Sequence, residues 1–544
     1  MHYFNLGDYS RKISTPSSDA QIWFDRGLIW TYGYNHEEAI VCFEKALEAD
    51  PKCAMAHWGI AYAIGPNYNK PWGAFEEDEK PEALQRAQSA LATTAALADH
   101  VSPVESALID ALVQRYPDNS SFEHCETWND AFAEAMRAVY TAYRDDLDVC
   151  TVFVEALMNR TPWALWDLAT GMPAEGADTL EAKSALEDVF DRVSGAWRHP
   201  GLLHMYIHLM EMSGTPELAL RHGDALVSLV PDAGHLIHMP THIDVLCGDY
   251  QYVVSRNQQA IVADRKFLKA KGADNFYSVY RCHDYHFRIY GAMFLGQPEV
   301  ALESAEELIS TLSEDFLREL ADWFEAFVPM KQHVLIRFGR WQEILDQPLP
   351  EDEELYAVTM AMMRYARTVA LANTKNLAAA DQERMLFDQA YSRVPESRML
   401  FNNTCRDILA VGEKMMLGEL EYHRGNFDQA FEYLRASVEL DDNLPYDEPW
   451  GWMQPTRHAL GALLIEQDQY FEAEAVYRAD LGLDSTLSRA CQHPGNVWSL
   501  HGLYECLQER GESVESKHIK LQLDRAMARS TVEIKASCYC RQLH

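Results

Sequence analysis

The sequence predicts an all-α solenoid of paired antiparallel helices, on three observations. Small and aromatic residues recur at the landmark positions of a 34-residue period. Helix-capping residues stand where helices of that period begin, and no Val/Ile/Thr-rich stretch alternates with polar residues between turns. With 48% of its 544 residues hydrophobic, the chain has enough apolar material for a large core.

The first repeat fills every landmark. With Gly27 at position 8, Trp23 falls at 4, Trp30 at 11, Ala39 at 20, Phe43 at 24, Ala46 at 27 and Pro51 at 32. These positions mark where helix A touches helix B and the next pair. Asn35 followed by Glu38 reads as a capping box opening helix B. Later repeats keep part of the set. Ile207 brings Ala219 and Pro231 into phase, Thr241 brings Ala260, and Ile289 brings Ala301 and Ala305. Gly418 pairs with Ala430, Gly461 with Ala473 and Tyr477, and Gly502 with Trp498. Four segments of one continuous solenoid follow: 1–140 with a loop insertion, a histidine-rich 141–310, an irregular helical 311–400, and 401–544 with a polar tail expected to fray. The run QPLPEDEE (Gln347 to Glu354) is a loop marking a bend.

This landmark set resembles the tetratricopeptide repeat. The segments FDRGLIWTYGYNHEEAIVCFEKALEADPKCAMAHWGIAYAIGPNYN, HPGLLHMYIHLMEMSG, GHLIHMPTHID and LPYDEPWGWMQPTRHALGALL are similar to a histidine-rich, functionally uncharacterised subgroup of large tetratricopeptide proteins from bacteria and fungi. The resemblance implies a superhelix whose A helices line a concave groove. It also implies the interaction role that most members of the superfamily serve. In peptide-binding members, Lys/Asn carboxylate clamps occupy places that histidines take here.

The histidines carry the most specific signal. Nine of the 21 lie between His199 and His286. His204 and His208 are four apart and share a helix face; His238 and His242 repeat the pair one full period later. In repeat coordinates His204, His238 and His286 share position 5, His208 and His242 position 9, His235 and His283 position 2, and Glu211 sits at 12. Steps of three and four place them on one stripe of helix A. A single helix-A histidine is ordinarily a packing residue. Imidazoles in register on neighbouring helices, whose axes pack roughly 8–10 Å apart, point instead to a shared metal. The expected ligands are therefore His204, His208, His235, His238, His242, His283 and His286, with Glu211 as ligand or orienter. Nitrogen-rich ligation without thiolate suits a divalent transition metal, Cu, Fe or Zn. Pro240 inside HLIHMPTHID threatens a kink between His238 and His242.

A second cluster, LPYDEPWGWMQPTRHALG, offers His458 and Glu448 as catalytic groups and Arg457, Trp450 and Tyr446 as substrate contacts. The competing reading is a loop whose tryptophans cover an apolar edge. GPNYNKPW (Gly65 to Trp72) is a further candidate pocket loop. With 47 basic against 83 acidic residues, a formal −36, neither nucleic acid nor a membrane surface is an expected partner. No 18-residue apolar run and no signal-peptide h-region is present, so a cytoplasmic location is expected. The 11 cysteines lack C-x-x-C pairs and are expected as free, mostly buried thiols. Nucleotide, dinucleotide, serine-hydrolase and zincin motifs are missing. The expected function is a metal-dependent oxidase- or oxygenase-type reaction on a small organic molecule, an oxidoreductase before a hydrolase. The alternatives are a non-catalytic scaffold holding a peptide or protein partner, a metal hydrolase, and a metal-binding protein.

Overall fold

The computed structural model describes residues 3–97, 100–117 and 122–541. Among these, regular structure is helical except for a two-residue antiparallel pair, Met399–Leu400 with Asn403–Thr404, and two isolated bridges. The protein is all-α, built of helices that pack in succession along the chain. No described helix is long and apolar enough to cross a membrane. Residues 1–243 with 262–277 form one compact unit, and 244–261 with 278–544 a second.

The first unit opens with the helices Ser18–Tyr32, His36–Ala49 and Ala54–Ala63. Ser17 caps the first, its hydroxyl accepting from the Ala20 N–H, and the Asn35 side chain accepts from the Glu38 N–H. The reciprocal half of the expected capping box is missing. The Glu38 carboxylate instead accepts from the Tyr3 hydroxyl at 2.7 Å and pairs with Lys271 at 2.5 Å. The landmark residues explain how the helices approach one another. Phe43 lies between Gly27 and Gly59, where a Cβ would come within 2.5 and 2.7 Å of its ring. One helix-B aromatic is thus clamped by helix A of its own pair and by the next.

The second unit repeats the device. Tyr477 sits between Gly461 and Gly502, where a Cβ would stand 2.4 and 2.2 Å from its ring, and Leu434 presses on Gly418. Gly502→Ala is therefore expected to overpack this contact and destabilise the second unit by about 1–3 kcal/mol. The ring has no room to swing aside, because the Tyr477 hydroxyl is held 2.6 Å from Ser537 Oγ. Denaturant unfolding checks this; an unchanged midpoint would show that the glycine is not needed for close approach.

The stretch 311–400 is helical, with Glu314–Phe324, Met330–Arg337, Ala357–Asn373 and Leu377–Arg393, and Gln347 to Glu354 is loop. The tail does not fray as expected. Ile534, Ala536, Ser537 and Cys540 are buried, and Ser537 donates to the His458 carbonyl at 2.8 Å. Cys538 and Cys540 are joined as a disulfide, whereas seven of the nine free thiols are buried as expected.

Candidate metal centre

The helix Pro200–Glu211 carries His204, His208 and Glu211 on one face. Its start is fixed by a buried carboxylate. Asp148 accepts from Tyr9 at 2.8 Å, Tyr32 at 2.6 Å, Arg11 at 2.7 Å and His199 at 3.2 Å, while His199 Nδ1 caps the helix by accepting from the Leu202 N–H. Burial alone would raise the Asp148 pKa, but His199, Arg11 and Tyr32 outweigh it and hold the carboxyl well below its ordinary range. Gly201 permits the close approach to Tyr32, since a Cβ there would lie 2.9 Å from that ring. The Tyr32 carbonyl is thereby placed 2.6 Å from His204 Nδ1.

That contact fixes a tautomer. A carbonyl only accepts, so the proton sits on His204 Nδ1 and Nε2 keeps its lone pair. Glu211 does the same for two further rings: its oxygens lie 3.0 Å from His208 Nδ1 and 2.7 Å from His242 Nδ1. His238 Nε2 then stands 2.8 Å from His242 Nε2 and donates to it. Nε2 of His204 and of His208 are buried without a hydrogen-bond partner among the described residues. Through these two contacts the Glu211 carboxylate orients both rings.

Pro240 ends one short helix, Gly234–His238, and begins the next, Pro240–Cys247. The restart keeps the shared face, as the facing His238 and His242 rings show. His235 packs edge-on to His204 at 5.0 Å between ring centres, and its backbone N–H donates to the Tyr277 hydroxyl at 3.0 Å. Within the first unit, two groups have donor atoms all within 4.8 Å of one another: His204, His208 and His235; and His208, Glu211 and His242. Every one of these side chains is at most 2% exposed. Burial first, and repulsion by neighbouring imidazoles second, hold His204, His208 and His235 well below the ordinary histidine range, so each is a neutral donor.

Aromatic rings wall the cluster, and of these only Tyr68 lies in a segment expected to form a pocket, the GPNYNKPW loop. Tyr34 lies 4.7 Å from His204 and 5.8 Å from both His208 and His235; Tyr68 and Trp163 flank His208 at 5.0 and 6.0 Å. Tyr34 and Trp163 are two of six described non-glycine residues at positive φ, 53° and 59°. Such backbone is costly for aromatic residues and concentrates at functional sites. These rings come from turns and insertions that carry no periodic signal. A positive φ at a non-glycine residue leaves no mark in sequence.

The remaining expected residues lie in the second unit. His283 and His286 lie on the helix Ser278–Leu295 and pack against Phe401, at 4.8 and 6.3 Å. Tyr446 donates to Glu448, whose carboxyl burial raises well above its ordinary range. Trp450 Nε1 donates to Asp441 at 3.1 Å, and Arg457 pairs with Asp442 at 2.7 Å. Arg337 donates to His458 Nδ1 at 2.8 Å, so Nε2–H faces Asp480 at 3.0 Å. Burial, opposed by Asp480, brings His458 down to about 4. The cleft between Trp450, Arg457, Asp480 and His493 measures about 10 Å³, the space of one water. In the first unit a larger cleft, about 70 Å³, is lined by Tyr34, His36, Asn67, Lys70, Phe276 and Tyr277, and so includes part of the GPNYNKPW loop.

Comparison with known proteins finds one local repeat match. Residues 20–53 match the tetratricopeptide repeat. No curated protein matches. Solved structures include Cut9 in the APC/C hetero-tetramer Cut9–Hcn1, at 13% identity, 93% of this chain, 76% of that chain and a TM-score of 0.30. An IFIT1 monomeric mutant with Gppp-AAAA matches at 12% identity, 87% and 90% coverage and a TM-score of 0.33. Yeast Tom70 matches at 12%, 93% and 92%, with a TM-score of 0.26. Likeness at these scores carries no functional argument.

Proposed function

We propose that this chain is a metal-binding helical-repeat protein whose first unit holds a divalent transition ion through His204, His208 and His235, with His238 and His242 beside it. The observation that carries the reading is the pair of buried Nε2 lone pairs on His204 and His208, each fixed by a partner on Nδ1 and aimed into the imidazole cluster. Three neutral imidazoles suit Zn, Cu, Fe or Ni, and the Glu211 carboxylate offsets part of the charge of a divalent ion. The tetratricopeptide repeat at residues 20–53 favours a scaffold role around that centre, with a protein partner as the natural second ligand.

Elemental analysis of untagged protein tests this. Near-stoichiometric metal is expected, and His204→Ala with His235→Ala should remove it while far-UV circular dichroism stays helical. Background metal in the wild type would overturn the reading and leave the scaffold alone. A reaction on a small molecule is a second reading, favoured by one feature: Tyr34 and Tyr277 line the 70 Å³ cleft and also touch the cluster. Metal-loaded protein would then show dioxygen-dependent turnover of a molecule small enough for that cleft, abolished by the same double substitution.

A further inference from the structure

The second unit contains a separate set of soft donors. His286 Nε2 lies 2.8 Å from Met453 Sδ. That is as close as an ordinary N–H···O pair, although sulfur is the larger atom. The residues on either side of Met453 hold His333: its carbonyl accepts from Gln454 Nε2 at 2.7 Å, and the Trp452 ring packs on its imidazole. The three side chains come from different elements: His286 from Ser278–Leu295, His333 from Met330–Arg337, and Met453 from the loop before Thr456–Glu466. All are buried, with Met453 1% and His333 4% exposed.

The surroundings are apolar. Phe327 and Phe401 flank His286 at 5.7 and 6.3 Å, and Trp452 stands edge-on to His333 at 4.9 Å. Phe401 adopts φ 50°, a conformation an aromatic residue takes only when its surroundings hold it there. Nδ1 of both histidines is buried without a hydrogen-bond partner among the described residues. A neutral imidazole carries one proton, so an Nε2–H aimed at Met453 leaves the His286 Nδ1 lone pair unmet. With the proton on Nδ1, that N–H is unmet and two lone pairs face each other at the sulfur. Either state leaves a buried polar atom unpaired.

We propose that His286, His333 and Met453 form a second metal site, selective for monovalent copper. A thioether with two neutral imidazoles is a soft donor set that suits Cu(I) rather than Zn(II) or Mg(II). Charge argues the same way. All three donors are neutral, and a single positive charge is far less costly to bury among aromatic rings than two.

The test is anaerobic titration of the untagged full chain with Cu(I) against a chromogenic Cu(I) chelator, with X-ray absorption on the loaded protein. Met453→Leu conserves volume and removes only the sulfur. It should weaken one class of Cu(I) sites at least tenfold and erase a copper–sulfur scattering shell seen in the wild type. His286→Gln should weaken the same class. The double variant His204→Ala/His235→Ala should keep that shell, which separates this site from the one in the first unit. Wild-type Cu(I) affinity and stoichiometry in a helical Met453→Leu, or wild-type copper bound without sulfur, would overturn the proposal.

Discussion

Glu211→Gln is expected to lower the affinity of the first unit for a divalent transition ion by about 10–100-fold while leaving the fold intact. The reason lies in proton placement. The carboxylate receives Nδ1–H from both His208 and His242, at 3.0 and 2.7 Å, and so leaves Nε2 unprotonated on each ring. A glutamine has one oxygen and one NH2, so it can accept from only one of them. The other ring must move its proton to Nε2, which removes a donor atom from the cluster. Glu211→Ala is harsher. Two buried N–H groups lose their acceptor together, and breaking such a network costs about 3–5 kcal/mol. Chelator competition measures the affinity, and nitrogen-15 shifts of the histidine rings report the tautomer directly. A Glu211→Gln protein with wild-type affinity would show that the carboxylate neither ligates nor orients.

Sequence periodicity reached a good part of this arrangement, for a physical reason. A 34-residue repeat forces residues of one phase onto equivalent helix faces, so His204, His208, His235, His238 and His242 had to share a wall once the helices formed. The clamps on Phe43 and Tyr477 follow from the same register, because glycine at position 8 leaves space for a ring at position 24. What escaped were contacts made by backbone atoms and irregular segments. The Tyr32 carbonyl has no side-chain signature, Tyr34 and Trp163 face the cluster from strained loops, and Asp148 reaches the same helix from another pair. In the second unit Glu448, Arg457, Trp450, Tyr446 and His458 stand out in sequence because their chemical types suit catalysis and substrate binding. Each has a bonded neighbour that composition alone does not reveal: Glu448 the Tyr446 hydroxyl, Arg457 Asp442, Trp450 Asp441, and His458 both Arg337 and Asp480. The tail misled for a related reason. Its residues are polar, yet Ser537 and Cys540 are nearly inaccessible, because polar side chains that find partners can be buried at little cost.

Glu419→Gln is expected to stabilise the second unit at pH 8 by about 3 kcal/mol and to do almost nothing at pH 4. Glu419 lies on the helix Cys405–Arg424, 2% exposed, beside the landmark glycine 418. Asn373 donates to it at 3.0 Å, but burial dominates and raises its pKa from 4.5 to about 7. Between those values the folded protein keeps a proton that the unfolded chain has released. The group's contribution is therefore fully present below about pH 4.5 and drains away as pH rises through 7, at about 1.4 kcal/mol per pH unit. Above pH 7 the folded state carries a buried carboxylate. A glutamine has the same shape and an acceptor for Asn373, yet never ionises. Its stability relative to wild type should thus climb with pH from 4.5 to 7 and then level off. Denaturant midpoints of the two proteins at pH 4, 6 and 8 measure that climb. A difference that stays constant with pH would mean Glu419 titrates alike in the folded and unfolded chains, and a difference that shrinks with rising pH would mean an unrecognised cation holds it ionised.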